Sequence, residues 1–489
     1  MRFGPNTRLV ASLIGQLAMF ESALLFLACG VAIYYGEDHW DYYVQSGGLA
    51  LGIGTILKLL GIGAPDTITK KEGAIIVTSV WIVFSLIGMV PYLLTGTLDN
   101  VTDALFETMS GFTTVGASVI TDVEAQCHSI LFWRALTQWT GGIGIIVISL
   151  ALLPRFGFSG MMMFGAEMAG PTKEKLSPKI ADTAKKLGII YLALTVAETI
   201  ALRIGGMSLF DAVCHSMTTT STGGFSTKNS SIAYWGPSIQ YIILIFMFLS
   251  GINFTLYYFA LNGKMKLKVL KNEELKWYTT IVIIASVILF ICICDFKEGI
   301  SFSTIEEHVR KALFQTITII TSTGFCESDY ALWPTTTWIV IVLLMSCGAS
   351  AGSTTGGIKL SRIIIALKYC YYEFKRMVHP HAVIPVTYSG TIIKPDIISR
   401  VFAFIFLYVF VIIIGTLVLN FTGMNLTEAA SGMITCMSNC GPAFGELSPS
   451  HNFAALSDFS KWFMTFAMLL GRLEIFTVLL LFTPVFWEK

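Results

Sequence analysis

Four short segments of the chain combine hydroxyl side chains with glycine in a way that could do chemistry on an ion. They are SGFTTVGASVI at 110–120, TTTSTGGFSTKN at 218–229, TITIITSTGFCES at 316–328 and TCMSNCGPAFGE at 435–446. Threonine and serine supply oxygens. Glycine permits the positive φ that turns successive carbonyls toward a common centre, and it leaves room for a passing ion. Aligned on one glycine each, the segments share Gly116, Gly223, Gly324 and Gly441, spaced 107, 101 and 117 residues apart. That period is too long for a solenoid and fits a duplicated membrane unit. The candidate ligating residues are Thr113, Thr114, Val115 and Gly116; Thr220, Ser221, Thr222 and Gly223; Thr321, Ser322, Thr323 and Gly324; and Ser438, Asn439, Cys440 and Gly441. Four such loops supply a ring of about four carbonyls in place of an ion's water shell, as potassium-selective filters do. Taking a unit charge out of water costs on the order of 20 kcal/mol in a low dielectric. The ring must offset nearly all of it, which favours a monovalent cation.

Each loop needs an element to aim it. Ahead of each glycine lies a short amphipathic stretch: NVTDALFETMSGF, MSLFDAVCHSMTT, STIEEHVRKALFQTI and MNLTEAASGMITC. Each opens on a capping-type residue (Thr102, Ser208, Ser303 or Thr304, Thr427) followed by an acid, which is a helix-start signal. A twelve-residue helix reaches only ~18 Å, against a hydrocarbon core ~30 Å thick, so these helices are expected to dip in and return. Non-helical backbone at that depth is tolerated only where protein buries it or where it lines a watery path. One such loop alone is explained by small residues packing between helices. Four in register, each after a short helix, argue for convergence on one axis, with helix C-termini adding about half a negative charge each.

The rest of the chain is a membrane protein's. Of 489 residues 54% are apolar and 13% charged, against roughly a quarter charged in soluble domains. Apolar segments of spanning length fall near 9–35, 44–62, 74–96, 130–153, 185–204, 236–261, 278–296, 336–371, 397–420 and 459–485, giving an expectation of ten spans. The first, behind the basic MRFGPNTR, is too long for a signal-peptide core. Connections around 63–73, 154–186, 262–277 and 359–396 hold most of the Lys and Arg, among them Lys173, Lys175, Lys179, Lys264, Lys266, Lys268 and Lys271. The opposite loops carry Glu37, Asp38, Asp41, Asp99, Asp122, Glu124, Glu327, Asp329 and Glu446. The positive-inside rule puts both termini in the cytoplasm. A net charge of +1 argues against a nucleic-acid partner. The expected division is an N-terminal two-helix extension (1–72) and pore units at 73–184, 185–275, 276–396 and 397–489.

A second set of residues suggests a gate. CGASAGSTTGG at 347–357 interrupts an apolar span, and each glycine costs a helix ~1 kcal/mol relative to alanine. A broken helix just below the filter can be a movable plug built on Gly348, Gly352, Ser353, Thr354, Thr355, Gly356 and Gly357; a kink for close helix packing is the alternative. Arg472 lies inside the last span, where an arginine is expensive and functional by default, unless it pairs with Glu474 or another buried acid. Arg134 and Glu107 read as an ordinary stabilising pair or cap near the outer ends of their elements. Lys359 and Arg362, just after the loop at 347–357, read as marking its cytoplasmic end. GASAG at 348–352 matches a nucleophile-elbow pattern but lacks the strand-turn-helix setting and a nearby histidine. HPH at 379–381 reads as solvated, and the ten cysteines show no CxxC pairing, so they read as small buried hydrophobes.

The segments FWRALTQWTGGIGIIVISLALLP (132–154), TTTSTGGFST, FMFLSGINFTLYYFAL (246–261), CGASAGSTTGGIKLSR (347–362) and SNCGPAFG (438–445) resemble the TrkH family of bacterial potassium-uptake proteins. That family is related to KtrB and to the plant and fungal Trk/HKT transporters. The resemblance covers essentially the whole chain, and the two extra N-terminal spans favour the TrkH branch. It implies an all-α polytopic fold in which four repeats of helix, half pore helix, filter loop and helix surround one pore. It implies potassium as the transported ion, no cofactor in this chain, and residence as a multi-pass protein of the bacterial cytoplasmic membrane. It further implies a homodimer and a cytoplasmic ring of TrkA-type regulatory subunits that bind a nucleotide, NAD or ATP/ADP. Family filter glycines map onto Gly116, Gly223, Gly324 and Gly441. In plant relatives a serine at the first of these goes with sodium transport, so four glycines point to potassium. The loop at 347–357 is implied to occlude the pore, and an arginine matching Arg472 to sit beneath the filter, opposing cations and holding that loop. The fourth loop departs from the threonine-rich pattern at Ser438, Asn439 and Cys440. An ion-coupled transporter of an organic solute is the rival reading; it would usually show broken helices in two paired halves and intramembrane carboxylates.

Overall fold

The computed structural model describes residues 6–64, 69–152, 180–261, 272–294 and 301–488. Lys173, Lys175, Lys179, Lys264, Lys266, Lys268 and Lys271 lie outside the described residues, as do the first five residues and most of the connections at 154–186 and 262–277. The helices that position the site are α1 (Thr7–Tyr34), α2 (Trp40–Leu60), α3 (Lys70–Gly88), α4 (Val101–Phe112), α5 (His128–Leu152), α6 (Ile180–Ile204), α7 (Leu209–Thr220), α8 (Pro237–Ser250), α9 (Phe254–Leu261), α10 (Glu273–Ile293), α11 (Phe302–Ile320), α12 (Thr335–Ser346), α13 (Leu360–Val378), α14 (Pro395–Phe421), α15 (Leu426–Ser438), α16 (Asp458–Arg472) and α17 (Ile475–Leu479).

Six of the described helices are long and apolar enough to cross a bilayer, or up to eight if each of two bent pairs is one span. Two of the spans expected as single helices are broken. The segment at 236–261 bends by 93° between α8 and α9, and the one at 459–485 bends by 114° after Arg472. At the first break Gly251 abuts the Tyr278 hydroxyl, where a Cβ would lie 2.6 Å away, and Asn253 restarts the helix by accepting the Thr255 N–H at 2.9 Å. At the second, Glu474 takes a left-handed φ of 57°. The segment at 336–371 is also divided, into α12 and α13.

The four short helices are α4, α7, α11 and α15, and their starts correct the expected caps in part. Ser208 caps α7 as its spacing indicates, accepting the Asp211 N–H at 3.0 Å. Asn100 rather than Thr102 caps α4, and Asn425 with Glu428 forms a capping box on α15 in place of Thr427. The third helix begins after Ser301, and at 19 residues it reaches ~28 Å, so length does not stop it crossing. Charge does: Glu306, Glu307, His308, Arg310 and Lys311 fall together in its first half. Each Lys or Arg costs ~2.5–3.5 kcal/mol at a bilayer centre.

Around these helices the longer ones pack in two large apolar cores. One joins α1, α3, α4 and α5 to α14, α15 and α16; the other joins α7 and α8 to α10 through α14. In the N-terminal pair, α1 and α2 touch through glycine, since a Cβ on Gly15 would lie 2.6 Å from the Gly54 carbonyl. Outward faces carry exposed Leu27, Ile56, Ile283, Phe406 and Ile413, an apolar surface suited to lipid tails.

Candidate ion path: four loops and a plug

Each short helix ends in the same backbone sequence. A right-handed residue at its C-terminus is followed by a left-handed one: Thr114 (φ 56°), Thr222 (55°), Ser322 (51°) and Asn439 (54°). Two residues on comes a glycine of positive φ: Gly116 (85°), Gly224 (77°), Gly324 (78°) and Gly441 (101°). Asparagine tolerates this region, but threonine there is strained, and such strain concentrates at functional sites. Alternating the sign of φ turns successive carbonyls to one side.

This pattern corrects the register of the second loop. The partner of Gly116, Gly324 and Gly441 is Gly224, not Gly223, and the equivalent stretch is Ser221–Gly224 rather than Thr220–Gly223. Gly223 stands level with Val115, Thr323 and Cys440, whose N–H groups turn back to the helix end as its own does to Thr218. Two adjacent glycines make the alignment ambiguous in sequence, and only backbone sign separates them.

The four loops close on one another. A Cβ on Gly116 would lie 2.2 Å from the Gly223 carbonyl, on Gly224 1.9 Å from that of Thr323, on Gly324 1.9 Å from that of Cys440, and on Gly441 2.7 Å from that of Val115. Each loop therefore seats the next, and the fourth returns to the first. The residues brought together are buried except Gly116, Gly224 and Gly324, which keep partial exposure. Ser438 and Asn439 join this ring despite their departure from the threonine pattern.

Behind the ring stand braces, of which the sequence pattern singled out only the Arg134–Glu107 pair. Gln138 donates to the Gly223 carbonyl at 2.7 Å and accepts the Phe225 N–H at 3.0 Å. Arg134 and Glu107, expected as a peripheral pair, are buried at 3% and 0% side-chain exposure and meet at 2.9 Å. Glu107 also accepts from Ser118 and the Val119 N–H, while Arg134 reaches the Ser226 carbonyl at 3.1 Å and lies over Phe225. The pair thus binds the first loop to the second. Lys461 likewise joins Asp103 at 2.6 Å and the Ala454 carbonyl, and Arg310 joins Glu327 at 2.9 Å. One signal was available: Gln138 lies four residues after Arg134, on the same helix face. At the outer mouth the Asn229 amide bridges to Asp122 and holds that carboxyl below its usual range.

Removing one member of a buried ion pair leaves an uncompensated charge and costs ~3–5 kcal/mol. Arg134→Ala is therefore expected to lower the thermal unfolding midpoint of the detergent-purified protein by several degrees. The double variant with Glu107→Ala should lose less than the two single losses combined; additivity would mean the two groups do not act as a pair.

Directly against the ring lies the segment 347–359. Its ends are pinned by a short parallel pair, β1 (Cys347–Gly348) with β2 (Ile358–Lys359). Between them Thr354 donates its hydroxyl to the Thr220 carbonyl and accepts from Thr222, both at 3.2 Å. The Gly356 N–H donates to Ser322 Oγ at 2.7 Å, and a Cβ on Gly356 would lie 2.0 Å from the Ser438 carbonyl. The loop thus touches three of the four filter loops. Gly352 and Gly357 take positive φ, Gly348 abuts the Gly356 carbonyl, and Ser353 bonds to Thr355 Oγ1 at 2.9 Å.

Arg472 holds this segment. It donates to the Thr354 carbonyl at 2.8 Å and to the carbonyls of Gly141 and Gly142 on α5 at 2.6 and 2.9 Å. Glu474, considered as its partner, takes Arg362 at 2.7 Å instead. Lys359 and Arg362 do follow directly on the loop's second end, but they are not solvated there: Lys359 is buried and turns back onto the Thr355 carbonyl, and Arg362 lies over Phe404. A cavity of about 40 Å³ lies below, lined by Gly141, Gly142, Lys359, Tyr408 and Arg472 among others. Ser350 of the GASAG stretch sits inside the loop, with its N–H on the Gly251 carbonyl, and His379 and His381 are exposed.

The TrkH family profile, described as a cation transport protein, matches residues 57–489. The chain is 35% identical over 489 residues to the Trk system potassium uptake protein TrkH of Salmonella typhimurium, covering 99% of each, and equally so to that of Escherichia coli K12. The relative from Halomonas elongata is 34% identical over 494 residues, with 99% of this chain and all of that one covered. The crystal structure of the potassium transporter TrkH from Vibrio parahaemolyticus superposes with a TM-score of 0.87 at 33% identity, covering 98% of this chain and 99% of the other. A chain with this ring, this plug and these full-length likenesses belongs to the TrkH family of cation transport proteins.

Proposed function

We propose that the protein takes up potassium across the bacterial cytoplasmic membrane through the ring formed by residues 113–116, 221–224, 321–324 and 438–441, and that 347–359 with Arg472 is its gate. The observation that carries this reading is the closed circuit in which each loop's glycine receives the next loop's carbonyl. Such a circuit closes the four loops on one another and leaves no space for a side chain between them. A half charge at a helix end, roughly 8 Å from the axis at an effective dielectric of about 20, contributes about 1 kcal/mol. Four helix ends together fall far short of the dehydration cost, so direct carbonyl ligation must supply most of it. The relatives named as potassium uptake proteins support the ion's identity and a transporter rather than an enzyme.

The acidic outer loops would concentrate cations at the mouth, and the positive-inside rule supports cytoplasmic termini. The four pore units after a two-helix extension, the homodimer and the nucleotide-binding TrkA-type regulatory ring remain part of this proposal. The organic-solute alternative is not favoured, because four loops rather than two halves surround the path. Reconstituted in liposomes, the protein is expected to pass K⁺ and Rb⁺ well above Na⁺, more so with the regulatory subunit, and to restore growth at low potassium to a host lacking uptake systems. Equal Na⁺ flux, or none of any alkali cation, would remove the proposal.

A further inference from the structure

Two adjacent glutamates open α10 beside the plug. Glu274 is 5% exposed, and its carboxylate accepts the Ala351 N–H, inside the loop, at 2.7 Å. The Ser361 backbone, just past the loop's second end, and the Tyr388 side chain also face this carboxylate. Glu273 is paired with Lys368 of α13 and accepts the Ser389 N–H at 2.9 Å. Lys368 also donates to the Thr387 carbonyl at 2.9 Å. Tyr388 and Ser389 belong to a small antiparallel hairpin of β3 (Thr387–Tyr388) and β4 (Thr391–Ile392), turned by Ser389 and Gly390 at φ 48° and 79°. Two successive positive φ values make the tight two-residue turn that fixes such a hairpin's shape.

One buried carboxylate is therefore shared among the first half of the plug, the helix that follows it, and a hairpin outside the span. The neighbouring residue ties that hairpin to the same helix. A buried carboxylate is tolerated only while polar groups surround it, so the positions of the groups packed around it are coupled. Resting on the reading of 347–359 as the gate, we infer that Glu274 is the positioning residue that latches the plug shut, and that the 387–392 hairpin is the lever through which a pull from outside the membrane releases it. Drawing the hairpin away removes the Tyr388 hydroxyl from Glu274 and drags the start of α10 through Ser389 and Glu273. The Ala351 N–H then loses its acceptor. Arg472 holds the far side of the plug, so the latch and the arginine act on different halves of one loop.

The test is Rb⁺ efflux and K⁺/Na⁺ selectivity of the full chain in liposomes without any partner protein, comparing wild type, Glu274→Gln, Tyr388→Phe and a deletion of 350–355. Charge-assisted hydrogen bonds are about twice as strong as neutral ones. Glu274→Gln is accordingly expected to raise basal efflux roughly tenfold and Tyr388→Phe roughly threefold, each with an unchanged K⁺/Na⁺ ratio. A merely structural role would lower thermal stability without raising efflux. If the deletion opens the path while both point variants match wild type, the latch is wrong and the gate stands. If the deletion itself changes nothing, the gate reading fails. A loss of selectivity in Glu274→Gln would also overturn the latch, since the residue would then act on the filter. Should Glu274→Gln fail to fold, Tyr388→Phe, which keeps the buried ring, decides alone.

Discussion

Gly224→Ala is expected to lower potassium flux at least a hundredfold, whereas Gly223→Ala is expected to lose far less. A Cβ at 224 would stand 1.9 Å from the Thr323 carbonyl, on a residue of φ 77°. The left-handed strain alone is about 1–2 kcal/mol, and the overlap forces two walls apart by more than an ångström. Misplacement on that scale costs on the order of 10² where ligands must be held in fixed geometry. The third loop cannot yield, because Gly324 is itself seated against Cys440. At 223 the obstacle is the Gln138 side chain, 2.4–2.8 Å from the added atom, and a side chain can retreat at the loss of its two hydrogen bonds. Gln138→Ala should therefore recover part of the activity lost in Gly223→Ala and none of that lost in Gly224→Ala. Rb⁺ uptake into proteoliposomes and growth at limiting potassium are the measurements. Equal severity at 223 and 224 would sink the register derived from backbone sign.

Arg472→Gln is expected to move flux in the opposite direction, upward by roughly ten- to a hundredfold in the absence of any partner. Arg472 donates to the Thr354 carbonyl within 347–359 and to the carbonyls of Gly141 and Gly142 on α5. A hydrogen bond from a charged donor contributes about 1.5–3 kcal/mol, which as a bias on a two-state gate is roughly one to two powers of ten. A cation passing at roughly 6 Å feels a further repulsion of about 3 kcal/mol at an effective dielectric of 20. Arg472→Lys keeps the charge but not the fork that spans several carbonyls, so its flux should fall between wild type and Arg472→Gln. A fall in flux, or lost selectivity at unchanged flux, would show that the guanidinium supports the filter instead.

The membrane class, three of the four short helices and the four loops were legible because each follows from local composition: hydropathy, hydroxyl and glycine runs. So was the interruption at 347–357, since CGASAGSTTGG cannot hold a helix. What escaped depended on three-dimensional neighbours. The choice between Gly223 and Gly224 rests on the sign of φ, which two successive glycines conceal. The breaks at 251–253 and 473–474 occur inside apolar runs where hydropathy sees one span; Tyr278 and Arg362, distant in sequence, make them affordable. Glu107 and Arg134 were legible as a stabilising pair, but their burial and the joining of two loops through them were not. Glu274 has nothing in its own sequence surroundings to distinguish it from Glu273.

On the proposed reading the segment 347–359 closes the ring's own axis, and three of the four loops already give it a partner. That location admits a single occupant. An assembly of four identical subunits must present four copies of any segment, and symmetry forbids a lone one from resting on the rotation axis. Fusing the walls into one polypeptide lifts that prohibition, so an asymmetric stopper becomes available to this architecture where a homotetrameric pore would have to close by moving all its subunits together.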